Sequence, residues 1–144
     1  MNIKIQLILY DCLKKGEKLP LHGGGTSLRN FIHITDVVEA TWLVMTKGIV
    51  GGIYHISSDN MLSIRELVEK TCLLMRHEFE HSVDIVKDRL GKDAAYQLSN
   101  SKLKKELNWA PTISLDQGIE QVIEWVSHHY NSLKELPMDY QHKA

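Results

Sequence analysis

Several things are scarce in this sequence of 144 residues, and each scarcity excludes a class of protein. It has two cysteines, Cys12 and Cys72, within apolar helical patterns, which indicates buried thiols rather than a disulfide framework. Net charge is also scarce, because 17 basic residues face 18 acidic ones, so no global field attracts nucleic acid or anionic lipid. No apolar run approaches a membrane span, and charged residues interrupt any signal-peptide core. The sequence therefore predicts a cytoplasmic protein.

The apolar pattern predicts a packed α/β fold in which helices predominate. Hydrophobic residues make up 43 % of the chain and charged residues 24 %, as in ordinary globular proteins. No repeat or Pro/Gly/Ser-rich linker marks a second domain. Helices are predicted at 3–13, 37–48, 62–75, 101–107 and 115–130, and strands at 28–34, 52–57, 83–86 and 94–99. Residues 19–22 and the glycines that follow are expected to form a loop.

Side chains with capping chemistry mark the starts of three helices. Ser63 and Glu66 have capping-box spacing, as do Ser114 and a glutamine three residues later. Thr35 with Asp36 is expected to cap the helix of residues 37–48. These spacings fix where the helices should begin.

The three consecutive glycines at residues 23–25 raise the question of a phosphate cradle. A dinucleotide fingerprint needs a G-x-G-x-x-G between a strand and a helix, so that backbone N–H groups meet the pyrophosphate. Here the sequence GGGTSL lacks the third glycine and precedes a strand, and it has no P-loop lysine. We interpret it as a turn whose glycines take positive φ, and not as a cofactor site.

Two arginines are the residues most suited to bind an anion. Arg29 begins an apolar strand, and Arg89 lies in a predicted turn with Lys92, where guanidinium groups could contact a diphosphate in bidentate fashion. The alternative is that each forms a surface ion pair, with Asp36 or Asp88 as partner.

Residues for catalysis or metal binding form no recognisable pattern. The eight histidines have no carboxylate or cysteine arrangement that would make a metal site specific. No G-x-S-x-G, Cys/His pair or carboxylate pair is present. No catalytic residue and no metal ligand is assigned.

Four stretches of the sequence resemble a known family in order and spacing. They are KLPLHGGGTSLRNFIHITDVVEA, GIYHISSDN, DRLGKD and SKLKKELNWAP. Together they resemble the C-terminal half of the NAD-dependent epimerase/dehydratase family of extended short-chain dehydrogenase/reductases, and within it the dTDP-glucose 4,6-dehydratases. The resemblance implies a helix-rich nucleotide-sugar-binding domain at 1–131, a C-terminal tail at 132–144, and an absent dinucleotide-binding domain.

The resemblance also implies a set of substrate-binding residues. Arg29 and Arg89 occupy the positions of arginines that contact the diphosphate. The full set is Lys4, Ile5, Pro20, Leu21, His22, Arg29, Arg89 and Lys92. His22 replaces a family tyrosine, Leu90 a proline and Lys92 a histidine, while Ile64 stands where thymidine-specific members carry asparagine. The base is therefore left open.

The resemblance implies what a complete relative would do. It would use NAD to oxidise C4 of an NDP-hexose, eliminate water across C5 and C6, and return the hydride. The family's glycine fingerprint and catalytic residues lie upstream of the matched region, so this chain alone is expected neither to bind NAD nor to catalyse. The expected partners are a nucleotide-diphosphate sugar and a missing Rossmann half or a second copy. The alternatives are a non-catalytic partner-binding module or degenerate remnant, and a fragment of an epimerase or decarboxylase.

Overall fold

A computed structural model describes residues 3–59, 61–88, 91 and 93–135, with side chains described from residue 7 onward. Its helices are α1 (Ile3–Lys15), α2 (Ile34–Lys47), α3 (Ile64–Leu74), α4 (Phe79–Ser82), α5 (Ser101–Leu107) and α6 (Leu115–Leu133). Its strands are β1 (Leu19–His22), β2 (Leu28–Asn30), β3 (Met61–Ser63), β4 (Val83–Val86) and β5 (Ala95–Tyr96). In this described part of the chain, no helix is both long enough and apolar enough to cross a membrane.

The strands form two small sheets. β1 pairs in parallel with β4, and β2 lies between antiparallel β3 and parallel β5. The prediction that residues 19–22 form a loop is wrong, because β1 is stabilised by a strand far later in the chain. The strands predicted at 28–34 and 94–99 shrink to β2 and β5, and β3 was not predicted. Residues 52–57, predicted as a strand, pair with no strand in the described residues.

The core on one side lies between α1, α3 and the β1–β4 sheet. Leu9 and Val68 are fully buried there, beside Leu21 and Cys72. Both cysteines are free and buried, which confirms the prediction made from their apolar surroundings. This core fixes the position of β1, and β1 leads directly into the glycine turn.

A second core holds α2 against the C-terminal third of the chain. Ala40 and Leu103 are fully buried beside Trp109. The predicted cap of α2 is wrong, because His33 is the N-cap and its side chain accepts the N–H of Thr35. Asp36 is instead fully buried one turn further on.

The two capping boxes are confirmed. The Ser63 hydroxyl accepts the N–H of Glu66 while the Glu66 carboxylate accepts the N–H of Ser63. Ser114 and Gln117 make the same reciprocal pair at the start of α6. This helix continues to Leu133, beyond the predicted end at residue 130.

Candidate functional site

The end of β1 is joined to the start of the segment of residues 87–93, of which residues 87, 88, 91 and 93 are described and which we call the loop. His22 lies opposite Val86 in the parallel ladder. Its Nδ1 is 3.1 Å from the carbonyl oxygen of Lys87, and since a carbonyl only accepts, Nδ1 is the donor. The first residues of the loop are therefore held beside the predicted sugar and base contact at His22.

Arg29 lies on β2 with its guanidinium bound to backbone carbonyls. Nη1 donates to the carbonyl of Leu28 at 2.6 Å and Nη2 donates to the carbonyl of Asp93 at 3.1 Å. Neither acceptor carries a charge, and no carboxylate among the described residues pairs with this cation. The ion pair with Asp36, the alternative considered from the sequence, is absent. The two backbone carbonyls thus orient Arg29 without neutralising its positive charge, which stays available to an anion.

The second end of the same loop is joined to β2. The hydroxyl of Ser27 donates to the carbonyl of Asp93 at 3.2 Å, and the N–H of Leu28 donates to the carbonyl of Ala94 at 2.8 Å. With the bond from Arg29, residues 93 and 94 accept three hydrogen bonds from residues 27–29. Both ends of the loop are thereby held against predicted site residues, one end at His22 and the other at Arg29.

Of the remaining predicted site residues, only Pro20 and Leu21 have described side chains. Pro20 is exposed on β1, whereas the side chain of Leu21 is 4 % exposed and packs in the core with Leu9. Lys4 and Ile5 lie on the first turn of α1, and their side chains are outside the described part. Arg89, Leu90 and Lys92 lie outside the described residues.

The glycine turn between β1 and β2 has the positive φ values that the sequence predicted. Gly23, Gly24 and Gly25 have φ of 57°, 63° and 70°. A Cβ at Gly23 would lie 2.4 Å from the Asp88 carboxyl carbon, and one at Gly25 would lie 2.8 Å from the backbone nitrogen of Arg65. The missing side chains thus make room for a carboxylate and for the start of α3. A negative group packed on the turn disfavours a phosphate there.

A cavity among the described residues lies elsewhere. It has a volume of about 790 Å³ and is lined by Phe31, Ile32, Ser58, Asp59, Met61, Leu62, Lys70 and residues 111–116. The charged groups of its lining are already paired, Lys70 with Asp116 at 2.8 Å and Asp59 with Lys104. Volume favours this cavity, but its described lining offers a diphosphate no cation that is not already bound to a carboxylate. We therefore assign the candidate anion site to Arg29 and not to this cavity.

Sequence reasoning missed two contacts, one at the candidate site and one that stabilises the fold away from it. The carbonyl of Asp93 orients the guanidinium of Arg29, a role that no side-chain pattern could have signalled. Asp36 accepts the N–H and hydroxyl of Thr112 and the N–H of Ile113, which fixes the segment after α5. Among the described residues, no group of three or more His, Cys, Asp or Glu side chains could hold a metal ion.

Comparisons with known proteins address the same region. Residues 2–122 match the family model described as GDP-mannose 4,6 dehydratase. The chain belongs to the extended short-chain dehydrogenase/reductase family. It is similar to the dTDP-glucose 4,6-dehydratase of Haemophilus influenzae, at 35 % identity over 120 residues that cover 76 % of this chain and 36 % of the relative.

Two solved structures of the family show the same fold. The dTDP-glucose 4,6-dehydratase DesIV of Streptomyces venezuelae, solved with NAD bound, superposes with a TM-score of 0.80 at 30 % identity over 87 % of this chain and 38 % of that one. The Bordetella bronchiseptica enzyme WbmF, in complex with NAD+ and UDP, gives a TM-score of 0.74 at 27 % identity over 93 % of this chain and 38 % of that one. The chain therefore spans little more than a third of these family members and corresponds to their C-terminal portion.

The family uses NAD, and the glycine turn is the place in the described residues to consider for it. The glycine turn is the one segment with the composition of a dinucleotide cradle, but it packs against Asp88 and the backbone of Arg65. A pyrophosphate would meet a carboxylate there instead of converging N–H groups. The glycine turn of this family member thus does not have the geometry of a dinucleotide cradle.

Proposed function

We propose that this chain binds a nucleoside diphosphate sugar through the surface formed by His22, Arg29 and the loop of residues 87–93. The diphosphate contacts the guanidinium of Arg29, and the base and sugar lie along the end of β1. Arg89 and Lys92 supply further positive charge from the loop, and Lys4 and Ile5 contact the base and sugar from α1.

One observation carries the proposal: the loop is bonded at one end to His22 and at the other to Arg29. Lys87 and Asp93, the two ends of the segment that contains Arg89 and Lys92, are thus each bonded to a predicted site residue, which supports a shared role in binding. Two of the five N–H groups of the Arg29 guanidinium donate to backbone carbonyls, which leaves three that can donate to an anion. The UDP complex of WbmF supports the choice of ligand class, since that protein shares the fold.

The activity of the complete protein is also a proposal. A polypeptide containing this region and an NAD-binding portion would dehydrate an NDP-hexose, and the similarity to dTDP-glucose 4,6-dehydratases favours that reaction over epimerisation or decarboxylation. This chain's own contribution is recognition: it holds the diphosphate and places the sugar. We assign it no catalytic step. A cytoplasmic location stays a prediction from the sequence.

Isothermal titration calorimetry with dTDP-, UDP-, CDP- and GDP-glucose tests the proposal. We expect saturable heat with at least one of the four, and a loss of about tenfold to a hundredfold in affinity for Arg29→Gln, since a charge-assisted contact contributes about 1.5–3 kcal/mol. Arg76→Gln is the matched control, because it removes the same charge just beyond the C-terminal end of α3, whereas β3, the partner of β2, precedes the N-terminal end of that helix.

Two results would contradict the proposal. One is a folded chain, verified by circular dichroism, that gives no saturable heat with any of the four ligands. The other is an equal loss of affinity in Arg29→Gln and Arg76→Gln, which would indicate nonspecific attraction of an anion.

A further inference from the structure

Helix α1 is joined to α6 by two hydrogen bonds that run in opposite directions. The hydroxyl of Tyr10 on α1 donates to the hydroxyl of Ser127 on α6 at 3.0 Å. The hydroxyl of Tyr130 on α6 donates to the carboxylate of Asp11 on α1 at 2.8 Å. The two tyrosine rings lie side by side, with their centroids 5.3 Å apart. We call these four residues the α1–α6 clasp.

The half of the clasp that lies on α1 is buried. Tyr10 is 6 % exposed and Asp11 is 7 % exposed. Lys15, one turn further along α1, donates to the second carboxylate oxygen of Asp11 at 2.7 Å. The hydrogen bond from Lys15, together with that from Tyr130, lowers the pKa of Asp11, although burial opposes them. The carboxylate is therefore charged at neutral pH, and each of its oxygens accepts a hydrogen bond.

A buried carboxylate is an unusual means of joining two helices. Removing a charge from water is costly, and apolar side chains of similar size often hold two elements together equally well. Hydrogen bonds have a narrow range of distance and angle, whereas apolar contacts have no preferred direction. A shift of α1 along α6 by one residue, about 1.5 Å, would displace both donors of the clasp from their acceptors. The clasp therefore fixes the register of α1 against α6.

The register of α1 decides where its first turn lies. That turn carries Lys4, which the proposed function places against the base and sugar. Asp11 lies seven residues further along the same helix, about 10 Å along its axis. Because a helix moves as a rigid rod over this length, a slip of one helical turn at Asp11 would move Lys4 by about 5.4 Å.

The first half of α1 lies towards the end of β1 that the candidate site includes. Leu9 of α1 and Leu21 of β1 belong to one buried cluster, and residues 16–18 alone connect the two elements. A helix and a strand that pack together across so short a connection run in opposite directions. The end of β1 at His22 is therefore on the side of the N-terminal half of α1, where Lys4 lies.

We propose that Asp11 and Tyr130 are positioning residues for the binding of the nucleoside diphosphate sugar. Neither touches the ligand; they hold α1 in the register in which Lys4 reaches the base and sugar. This inference rests on the proposed function. Without the hydroxyl of Tyr130, α1 samples other registers, and the apparent affinity falls in proportion to the fraction of molecules in which Lys4 is in place.

Calorimetry on variants that each lose one hydroxyl tests the inference. Tyr130→Phe keeps the ring but removes the donor to Asp11. We expect its affinity to be about threefold to tenfold lower for whichever of dTDP-, UDP-, CDP- and GDP-glucose binds the wild-type chain. Tyr54→Phe is the matched control, because Tyr54 also donates its hydroxyl to a carboxylate, that of Glu106 at 2.7 Å, but joins the segment after α2 to α5. It should leave the affinity unchanged.

A double-mutant cycle distinguishes positioning from a general loss of stability. Tyr130→Phe should cause no further loss of affinity in a chain that already carries Lys4→Met, because no side chain is then left to position. In a chain that carries Arg29→Gln it should cause the same fold-loss as in the wild type, since Arg29 lies on β2 and is oriented by carbonyls of Leu28 and Asp93. A weakened fold would lower the affinity alike in both backgrounds.

Two results would overturn the inference. One is a folded Tyr130→Phe chain that binds with the affinity of the wild type. The other is an equal loss of affinity from Tyr130→Phe in the Lys4→Met and Arg29→Gln backgrounds. Either result leaves the proposed function intact as long as Arg29→Gln alone weakens binding. A wild-type chain that gives no saturable heat would contradict the proposed function and this inference together.

Discussion

Replacing the buried carboxylate of Asp36 should destabilise the fold far more than replacing an exposed one. Asp36 is fully buried and accepts three hydrogen bonds: the N–H of Thr112 at 2.8 Å, its hydroxyl at 2.9 Å, and the N–H of Ile113 at 3.3 Å. These bonds span 76 and 77 residues of sequence and tie α2 to the segment before α6.

The magnitude follows from what the substitution leaves behind. Asp36→Ala deprives two backbone N–H groups of their acceptor, and each such group costs about 1–3 kcal/mol. The expected loss is therefore about 2–6 kcal/mol, a large share of the roughly 5–15 kcal/mol that stabilises a domain. Asp84→Ala is the matched control, because Asp84 is 66 % exposed in its side chain and only 3.6 Å from Lys18, a type of pair that contributes at most about 1 kcal/mol.

Urea unfolding followed by circular dichroism measures both changes. A double-mutant cycle that combines Asp36→Ala with Thr112→Val should show that the two losses of unfolding free energy are not additive, by about 0.5 kcal/mol or more. The two side chains are directly hydrogen-bonded, so removing either one breaks the same bond. The reasoning would be refuted if Asp36→Ala and Asp84→Ala had the same free energy of unfolding within about 0.5 kcal/mol.

Two further predictions concern the glycine turn and the dependence of the free energy of unfolding on pH in acid. Gly24→Ala should cost about 1–2 kcal/mol, since φ is 63° and nothing lies within 4 Å, whereas Gly25→Ala should cost clearly more, since its Cβ would also lie 2.8 Å from the nitrogen of Arg65. Equal midpoints of thermal unfolding for these two variants would contradict this account of the turn. Hydrogen bonds from Lys15 at 2.7 Å and Tyr130 at 2.8 Å lower the pKa of Asp11, although burial opposes them. Because the folded pKa is below the unfolded one, this stabilisation is present above about pH 4 and is lost as the pH falls through the folded pKa. Asp11→Asn should therefore flatten the dependence of the free energy of unfolding on pH below 4, and parallel curves for the two proteins would contradict the assignment.

Local signals in the sequence predicted local structure well. The capping boxes at Ser63 and Ser114 are confirmed because every atom involved lies within four residues. The positive φ of the glycine turn is confirmed for the same reason. Features of this kind need no knowledge of the rest of the chain.

Pairings between distant segments were not predictable in this way. β1 was predicted as a loop because its partner strand β4 lies far along the chain and leaves no local signal. Asp36 was predicted as a helix cap because its actual partners, residues 112 and 113, are equally distant in sequence. Residues 53–57 have the alternating pattern of a strand. They pair with no strand in the described residues, so the strand predicted there is not formed in this part of the structure.

The candidate site was predicted only in part. Arg29 was identified as an unusual cation by its place in an apolar segment, and the family resemblance suggested its ligand. Its actual acceptor, the backbone carbonyl of Asp93, has no sequence signature. The convergence of His22 and Arg29 on one loop depends on the parallel ladders β1–β4 and β2–β5, which only the folded structure reveals.

The most direct test of the central claim is to locate bound ligand by amide chemical shifts in the ¹⁵N-labelled chain titrated with dTDP-glucose and UDP-glucose. The account predicts that the largest shifts occur at residues 22–30 and 87–94 and are lost in Arg29→Gln. Largest shifts at the cavity residues 111–116 and 58–62, or no shifts at millimolar ligand, would contradict it.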